Sequence, residues 1–289
     1  MEEVTSVQWF PGHMAKTRRK IKESLAKVDA VAELLDARVP ISSRNPELGS
    51  LIGSKPRILL LNKSDTADEK QTRNWLSSYK RQGIAALALD CRSGKGLQQF
   101  VPAVRGLLQD RIAAWNAKGM TGKPVKVMIV GIPNVGKSSF INRMAGGNRA
   151  KVEDRPGVTR GNQWFSIGKG MELLDTPGVL WPKFEDPVVG ERLAFIGSVR
   201  DTIMDTEQLA ANLASLLARE YPAMLCARYK LPNIETEDGF ALLEQIGRKR
   251  GMLISGGEVD LERAAAMLLD EFRGGKLGRI TLEQPENMQ

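Results

Sequence analysis

The chain predicts an α/β fold, a parallel sheet covered by helices on both faces, followed by an all-α domain. Three observations carry this. Strand and helix patterns alternate from residue 28 to residue 178, as β-α-β units require. Within that span, Gly131-Ile-Pro-Asn-Val-Gly-Lys-Ser138 reads G-x-x-x-x-G-K-S, with the apolar run Val125–Val130 before it and the helical pattern Ser139–Ala145 after it. Past Pro187 the strand patterns stop and the charge reverses. Residues 188–289 hold 12 basic and 16 acidic side chains, a net −4, which leaves +12 in residues 1–187 of the chain's +8. The expected domains are therefore 1–187 and 188–289.

Taken in order, residues 7–14 read Val-Gln-Trp-Phe-Pro-Gly-His-Met, and the turn at Pro11-Gly12 presents His13, the only histidine. Ala15–Val28 predicts a helix with Ile21, Leu25 and Val28 on one stripe. Lys16, Arg18, Arg19, Lys20 and Lys22 crowd its first half, which suits a solvated face or phosphate contact on RNA equally. Val31–Asp36 reads as a strand, followed by a polar loop to Pro46. Pro56–Leu61 is a buried strand ending in Asn62-Lys-Ser-Asp65. Residues 68–82 predict a helix carrying Trp75, Leu76 and Tyr79, and Ala85–Leu89 a strand leading to Asp90-Cys-Arg-Ser-Gly-Lys-Gly96. Leu97 to Lys118 reads as one long amphipathic helix, and Gly119–Pro124 as a joint into the phosphate-loop strand. Strands are expected over 161–169 and 171–175, the second ending in Asp175-Thr-Pro-Gly178. Three apolar stripes then predict helices: Leu209, Leu213, Leu216 and Leu217; Phe240, Leu243 and Ile246; Leu261, Ala265, Leu268 and Phe272.

Composition narrows the function classes. With 289 residues, 42% hydrophobic and 26% charged, the chain has the make-up of a globular protein. No apolar run reaches the roughly 20 residues of a membrane helix, and Met1-Glu-Glu-Val-Thr lacks the layout of a signal peptide. Two cysteines, Cys91 and Cys226, give neither a disulfide framework nor metal spacing, so the expected compartment is the cytoplasm. The positive charge favours a polyanionic partner.

The motifs specify a nucleotide. In the phosphate loop, the backbone N–H groups of Gly131–Ser138 would surround phosphates at a helix N-terminus. Lys137 would reach the β- and γ-phosphates, and the Ser138 hydroxyl a magnesium ion. Asn62-Lys63-Ser64-Asp65 follows N-K-x-D. The Asp65 carboxylate would accept from guanine N1–H and its exocyclic amine, a pair that adenine lacks, so an adenine would leave it unpaired. Asp175 and Gly178 form D-x-x-G, the carboxylate toward magnesium and the Gly178 N–H toward the γ-phosphate. Thr159 is the candidate switch threonine. GTP and Mg2+ are thus the expected ligands, with Ser138, Thr159 and Asp175 holding the metal. In GTPase chains the phosphate loop ordinarily precedes D-x-x-G and N-K-x-D. Here N-K-x-D comes first, which predicts a circularly permuted P-loop GTPase domain, its old termini joined through Gly119–Pro124 and its chain reopened after D-x-x-G.

The segments QWFPGHMAK, LLDARVPISSRNP, LLLNKSD, VGIPNVGKSS, DRPGVTRGNQW, LLDTPGVLWPKFED and GRITLEQP resemble those of the circularly permuted RbgA/YlqF GTPases of bacterial ribosome assembly. The resemblance covers essentially the whole chain. It implies a monomeric GTPase that acts late in large-subunit maturation, activated by that particle, with the precursor, its ribosomal RNA and ribosomal proteins as partners. It implies RNA contact by the C-terminal helices. Given their negative charge, Arg248-Lys249-Arg250 and Arg273, Lys276 and Arg279 are the expected contacts. It extends the nucleotide set to Pro133, Asn134, Val135, Gly136, Ser139 and the base-flanking Cys91, Arg92 and Ser93. Cys91 stands where the family tends to have serine. That loop works largely through backbone N–H groups, so binding should survive.

After Gly178 come Val179, Leu180 and Trp181, none able to orient a water by a hydrogen bond, so slow turnover is expected in isolation. His13 is the candidate catalytic group, weighed against a structural role in the N-terminal turn. Asn134 is the candidate ligand for a potassium ion. The rival reading is an RNA-binding scaffold ordered by GTP with negligible turnover.

Overall fold

The computed structural model describes residues 19, 21–147, 163–168, 170–178, 184, 186–199 and 205–285. Asp186–Ile280 forms one compact unit, and the described residues before it, with those from Thr281 onward, form another.

The first unit is built on strands β1 (Ala30–Asp36), β2 (Arg57–Asn62), β3 (Ala85–Ala88), β4 (Val125–Gly131), β5 (Gln163–Ser166) and β6 (Met171–Asp175). They form one sheet in the order β3-β2-β1-β4-β6-β5. The phosphate-loop strand β4 pairs in parallel with β1 on one side and β6 on the other. Chain order and sheet order are reconciled by starting at β4, running through β6 and then returning to β1, as the permuted reading requires. β1 is buried along its whole length, Glu33 and Asp36 included, so its apolar residues do not alternate with exposed ones. β5 is the antiparallel exception. Only the few residues between Ser166 and Met171 join it to β6, too short a connection for a crossover, so a hairpin results.

Register carries the functional consequence. Asp36 lies beside Asn62, Leu34 beside Gly131, and Ile129 beside Asp175. The three sequence motifs therefore leave the sheet at one edge, the carboxyl ends of its parallel strands, where α/β sheets bind ligands.

Residues 21–25 are helical, and further helices of this unit are α1 (Pro46–Ile52), α2 (Glu69–Arg81), α3 (Phe100–Leu107), α4 (Gln109–Ala117) and α5 (Lys137–Met144). Asn45 and Asp68 cap α1 and α2 with their side chains, and Pro46 occupies the first turn of α1. Ile21, Leu25 and Val28 form the expected stripe and pack with Val31, Leu48, Ile52, Met128, Val130 and Leu174 on one face of the sheet. Trp75 and Tyr79 of α2 pack with Leu35, Leu59 and Leu61 in a second cluster. The long helix expected over 97–118 is instead a 3-10 turn at Leu97–Gln99 followed by α3 and α4, interrupted at Leu108 (φ −109°, ψ 14°). Phe100, Val101, Val104 and Leu108 are buried, whereas α4 buries only Trp115. The apolar stripe thins where the helix breaks.

The second unit contains α6 (Pro187–Phe195), α7 (Thr206–Glu220), α8 (Pro222–Tyr229), α9 (Gly239–Lys249) and α10 (Leu261–Arg273). Helix α7 is its centre, packed against α6, α8, α9 and α10. The stripe expected of α9 is corrected at its first member. Phe240 is 39% exposed, and Leu242, Leu243 and Ile246 fill the core. The preceding Gly239 sits so close to α7 that a Cβ would meet the Ala211 carbonyl at 2.0 Å. That contact fixes the start of α9 and leaves Phe240 on its outer side.

The chain then returns to the first unit. Glu283 accepts from the Ile41 and Ser42 N–H groups and the Ser42 hydroxyl. Leu282 N–H donates to the Arg38 carbonyl at 2.8 Å, and the Trp75 indole N–H donates to the Glu283 carbonyl at 3.0 Å. The expected boundary at residue 187 puts these residues in the helical half, whereas they belong to the first unit. No helical period marks them, and their partners lie more than 200 positions away.

Candidate nucleotide site

The phosphate end is built from the loop between β4 and α5. Gly131 takes φ +152° and Gly136 φ +99°, and Asn134 is left-handed at φ 57°. A Cβ on Gly131 would lie 2.6 Å from the Leu34 carbonyl, and one on Gly136 2.3 Å from Asn62 Nδ2. Both glycines are thus required by close approach of neighbouring segments as well as by backbone conformation. Lys137 opens α5 and folds back, its Nζ donating to the carbonyls of Gly131 at 3.0 Å and Ile132 at 2.8 Å. Burial lowers its pKa to about 8, with Asp175 pulling the other way. Asp175, at the end of β6, is pushed up to about 6 by burial, which outweighs the Lys137 charge and the Thr176 backbone N–H. Its Oδ1 is buried and has no hydrogen-bond partner. Thr176 anchors this strand end by donating to the Ile129 carbonyl at 2.6 Å. Gly178 lies against the loop: a Cβ there would be 2.9 Å from Pro133 N and 3.1 Å from Lys137 Nζ.

The base end is tied to the phosphate end by one side chain. Asn62 Nδ2 donates to the Val135 carbonyl at 2.8 Å, and its Oδ1 accepts from the Cys91 N–H at 3.1 Å. One buried amide thereby joins N-K-x-D, the phosphate loop and the base-flanking loop. Asp90 shapes the latter by accepting from the N–H groups of Arg92 at 2.8 Å and Ser93 at 3.2 Å. Burial would raise the Asp90 carboxyl, but these bonds to Ser93 and Arg92 hold it below its ordinary range. Cys91 is buried and its thiol is pushed up to about 12 by that burial, so it packs as a neutral side chain and the loop acts through its backbone. Asp65 faces Arg92, with Oδ2 to guanidinium nitrogen 3.3 Å.

Lys63, left-handed at φ 60°, places its Nζ 3.1 Å from Asp36 Oδ2. Asp36 is fully buried and also takes the Arg38 guanidinium at 2.9 and 2.8 Å. Burial opposes its ionisation, yet Arg38 and Lys63 together hold the carboxyl well below the usual range. Asp36 and Arg38 lie in a segment that sequence reading left as strand end and loop. Their part in steadying Lys63 was missed.

A family model described as a 50S ribosome-binding GTPase matches residues 126–222. Ribosome biogenesis GTPase A of Priestia megaterium is 49% identical over 98% of this chain and 99% of its own length. The chain belongs to the ribosome biogenesis GTPase A family. Among solved structures of this family, a GDP-bound YlqF aligns with a TM-score of 0.67 at 30% identity, covering 93% of this chain and all of its own. The GNP-bound YlqF of T. maritima aligns at 0.65 and 29% identity, covering 94% of this chain and 99% of its own. The family model begins in β4, so N-K-x-D at 62–65 falls ahead of its span.

For a GTPase of this family, the structure gathers Asn62, Lys63, Asp65, Cys91, Arg92, the loop Gly131–Gly136, Lys137, Asp175 and Gly178 at one edge. Ser64 is held in the same turn by its N–H on the Leu89 carbonyl at 3.0 Å, and Ser138 and Ser139 follow in the first turn of α5. His13, Thr159, Val179, Leu180 and Trp181 lie outside the described residues. A cavity of about 490 Å³ opens between the base-flanking loop and α5, lined by Cys91, Arg92, Ser139, Asn142, Arg143, Gly146 and Gly147. Asn142 and Arg143 were not foreseen. Arg143 Nε donates to the Cys91 carbonyl at 3.1 Å, and its guanidinium also donates to the Arg92 carbonyl. Helical spacing puts Asn142 and Arg143 on the face of Ser139, but it gives them no mark that sets them apart from other polar residues of a helix.

Among the described residues no cluster of three or more His, Cys, Asp or Glu side chains could hold a metal. Magnesium needs no such cage, since it binds through one or two protein oxygens and the nucleotide phosphates. The unpartnered Asp175 Oδ1 beside the phosphate loop fits that role.

Proposed function

We propose that this chain is a GTP hydrolase of ribosome assembly that docks on the precursor of the large subunit in its GTP form and leaves it after hydrolysis, acting as a monomer in the cytoplasm. The observation that carries the reading is the Asn62 amide, which binds Val135 and Cys91 at once. A lone phosphate loop would suit any nucleoside triphosphatase. Held against a base-reading loop, it selects guanine.

In this reading Asp65 exchanges its exposed partner Arg92 for the guanine N–H pair, and Lys63 covers the base, steadied by Asp36. Lys137 gives up the Gly131 and Ile132 carbonyls for the β- and γ-phosphates. Ser138, Thr159 and Asp175 hold magnesium, which supplies charge neutralisation on the phosphate oxygens when bound. Gly178 donates its N–H to the γ-phosphate, so loss of that phosphate is felt first in the segment leading to the second unit. His13 orients the attacking water, and Asn134 would hold a potassium ion, which would supply positive charge at the phosphates.

The apolar run Val179-Leu-Trp181 favours one alternative, a GTP-ordered RNA scaffold with negligible turnover. Turnover measured with and without large subunits separates the two. Stimulation by the subunit is expected, and its absence would leave the scaffold. Preference for GTP over ATP by a factor of roughly 10⁴ is expected from Asp65, and equal binding would overturn both readings.

A further inference from the structure

Three cations of the helical unit's basic clusters are engaged within the unit. Arg248 pairs with Glu244 at 2.7 Å, and Arg250 lies 3.8 Å from Glu271 and 5.2 Å from the Tyr229 ring centroid. Arg273 caps α6, donating to the carbonyls of Phe195 and Ala194 at 3.1 and 2.8 Å. A second surface sets its positive charge beside aromatic rings. Its cations lie at the amino ends of β1, β4 and β6, a strand length of about 20 Å from the phosphate loop, and it extends along the sheet to Trp164, which pairs with Leu174 in β6.

Asp29 is its hub. Its backbone N–H donates to the Lys126 carbonyl at 2.7 Å, Oδ2 accepts from the Lys126 N–H at 2.9 Å, and Oδ1 pairs with Arg111 at 3.1 Å. Lys55 donates to the neighbouring Val28 carbonyl at 2.7 Å. Its pKa is lowered by burial first and by Arg111 next, a sign of crowded cations. Arg111 and Lys123 lie over the Trp115 ring at 5.4 and 4.5 Å from its centroid. Lys126 lies 5.2 Å from the Trp164 centroid, and Arg105 reaches Gly170 next to β6. Asp29 pairs with Arg111, and Glu172 lies 3.8 Å from Lys126. Trp164 is 40% exposed on the edge strand β5.

We propose that this surface binds ribosomal RNA, with the phosphate backbone over Lys123, Lys126 and Arg111 and an unpaired base stacked on Trp164. The chemistry is that of RNA recognition: cations for phosphates and an exposed aromatic face for a base that has left its helix. Because Arg111, Lys123 and Lys126 lie toward the edge of the sheet opposite the nucleotide motifs, the RNA backbone and GTP can be held together. The inference rests on the ribosome-assembly reading above and adds the surface through which it operates.

The test measures binding of the full chain to large-subunit RNA across about 50–200 mM salt, with wild type, Lys123→Gln/Lys126→Gln and Trp164→Ala. The double variant is expected to bind roughly tenfold more weakly at low salt, with the slope of log affinity against log salt reduced by about 1–2. Trp164→Ala is expected to lose affinity roughly five- to a hundredfold with the slope unchanged. GTP turnover of the isolated variants should match wild type, which also shows that they fold. Wild-type affinity and slope in both variants would overturn the surface while leaving the assembly reading intact. Failure of wild type itself to bind RNA would overturn both. Loss of binding to phosphatidylserine vesicles, with RNA binding unchanged, would reassign the patch to a lipid surface.

Discussion

At the phosphate end of the site, Lys137 and Asp175 are buried together, each with a pKa moved toward neutrality and with one carboxylate oxygen unpartnered. At the base end, Asn62, Asp90 and Arg143 hold the flanking loop by hydrogen bonds to backbone groups. The first region is electrostatically unfinished until a polyanion and a cation arrive. The second is shaped before any ligand binds. A binding site of this kind places its rigidity where shape must be read and its stored charge where the ligand's charge will be met.

The largest expected break in this contrast is Lys137→Ala. Removing the ammonium that meets the phosphates should lower GTP turnover roughly 10²–10³-fold, read by phosphate release. Asn62→Ala attacks the ordered end. It leaves the Val135 carbonyl and the Cys91 N–H without their partner, and should cost about 2–3 kcal/mol in denaturant unfolding of the nucleotide-free protein. A loss much below that would mean the loop relaxes and is not held by the amide.

The contrast is sharpened by pH. The Asp175 pKa, near 6 when folded, lies above the 3.8 of a free aspartate. The folded protein therefore binds the extra proton, and stability rises as pH falls through that window. Wild type should gain about 1 kcal/mol over Asp175→Asn between pH 7 and pH 5, measured by chemical denaturation without nucleotide. An equal pH response in both proteins would show that the carboxylate is not strained. The smallest effect is expected from Arg143→Ala. It should raise the KM for GTP roughly fivefold with kcat unchanged, because only the preset shape of the flanking loop is lost.

How much of this could be read in advance varied with the physics involved. The central strands and the helical stripes were legible because burial on both faces of a sheet leaves an apolar run, and burial along one helix face leaves a periodic trace. The departures arose where no period exists or where a neighbour intervened. Leu97–Lys118 breaks at Leu108, past which the apolar stripe thins to Ile112 and Trp115. Phe240 was displaced outward by the close seat of Gly239 on α7. Asp36, Arg38 and Arg143 act through contacts of the folded chain. Nothing in local spacing distinguishes Arg143 from any exposed arginine on a helix.

The sequence by itself determined the nucleotide chemistry and the permuted topology, since the motifs are short, local and ordered along the chain. Only the tertiary structure decided how those motifs are held. Asn62 meets Val135 across 73 positions, and Glu283 meets Ser42 across 241. Such pairings carry no periodic trace, because they are set by which strand ends the sheet brings side by side.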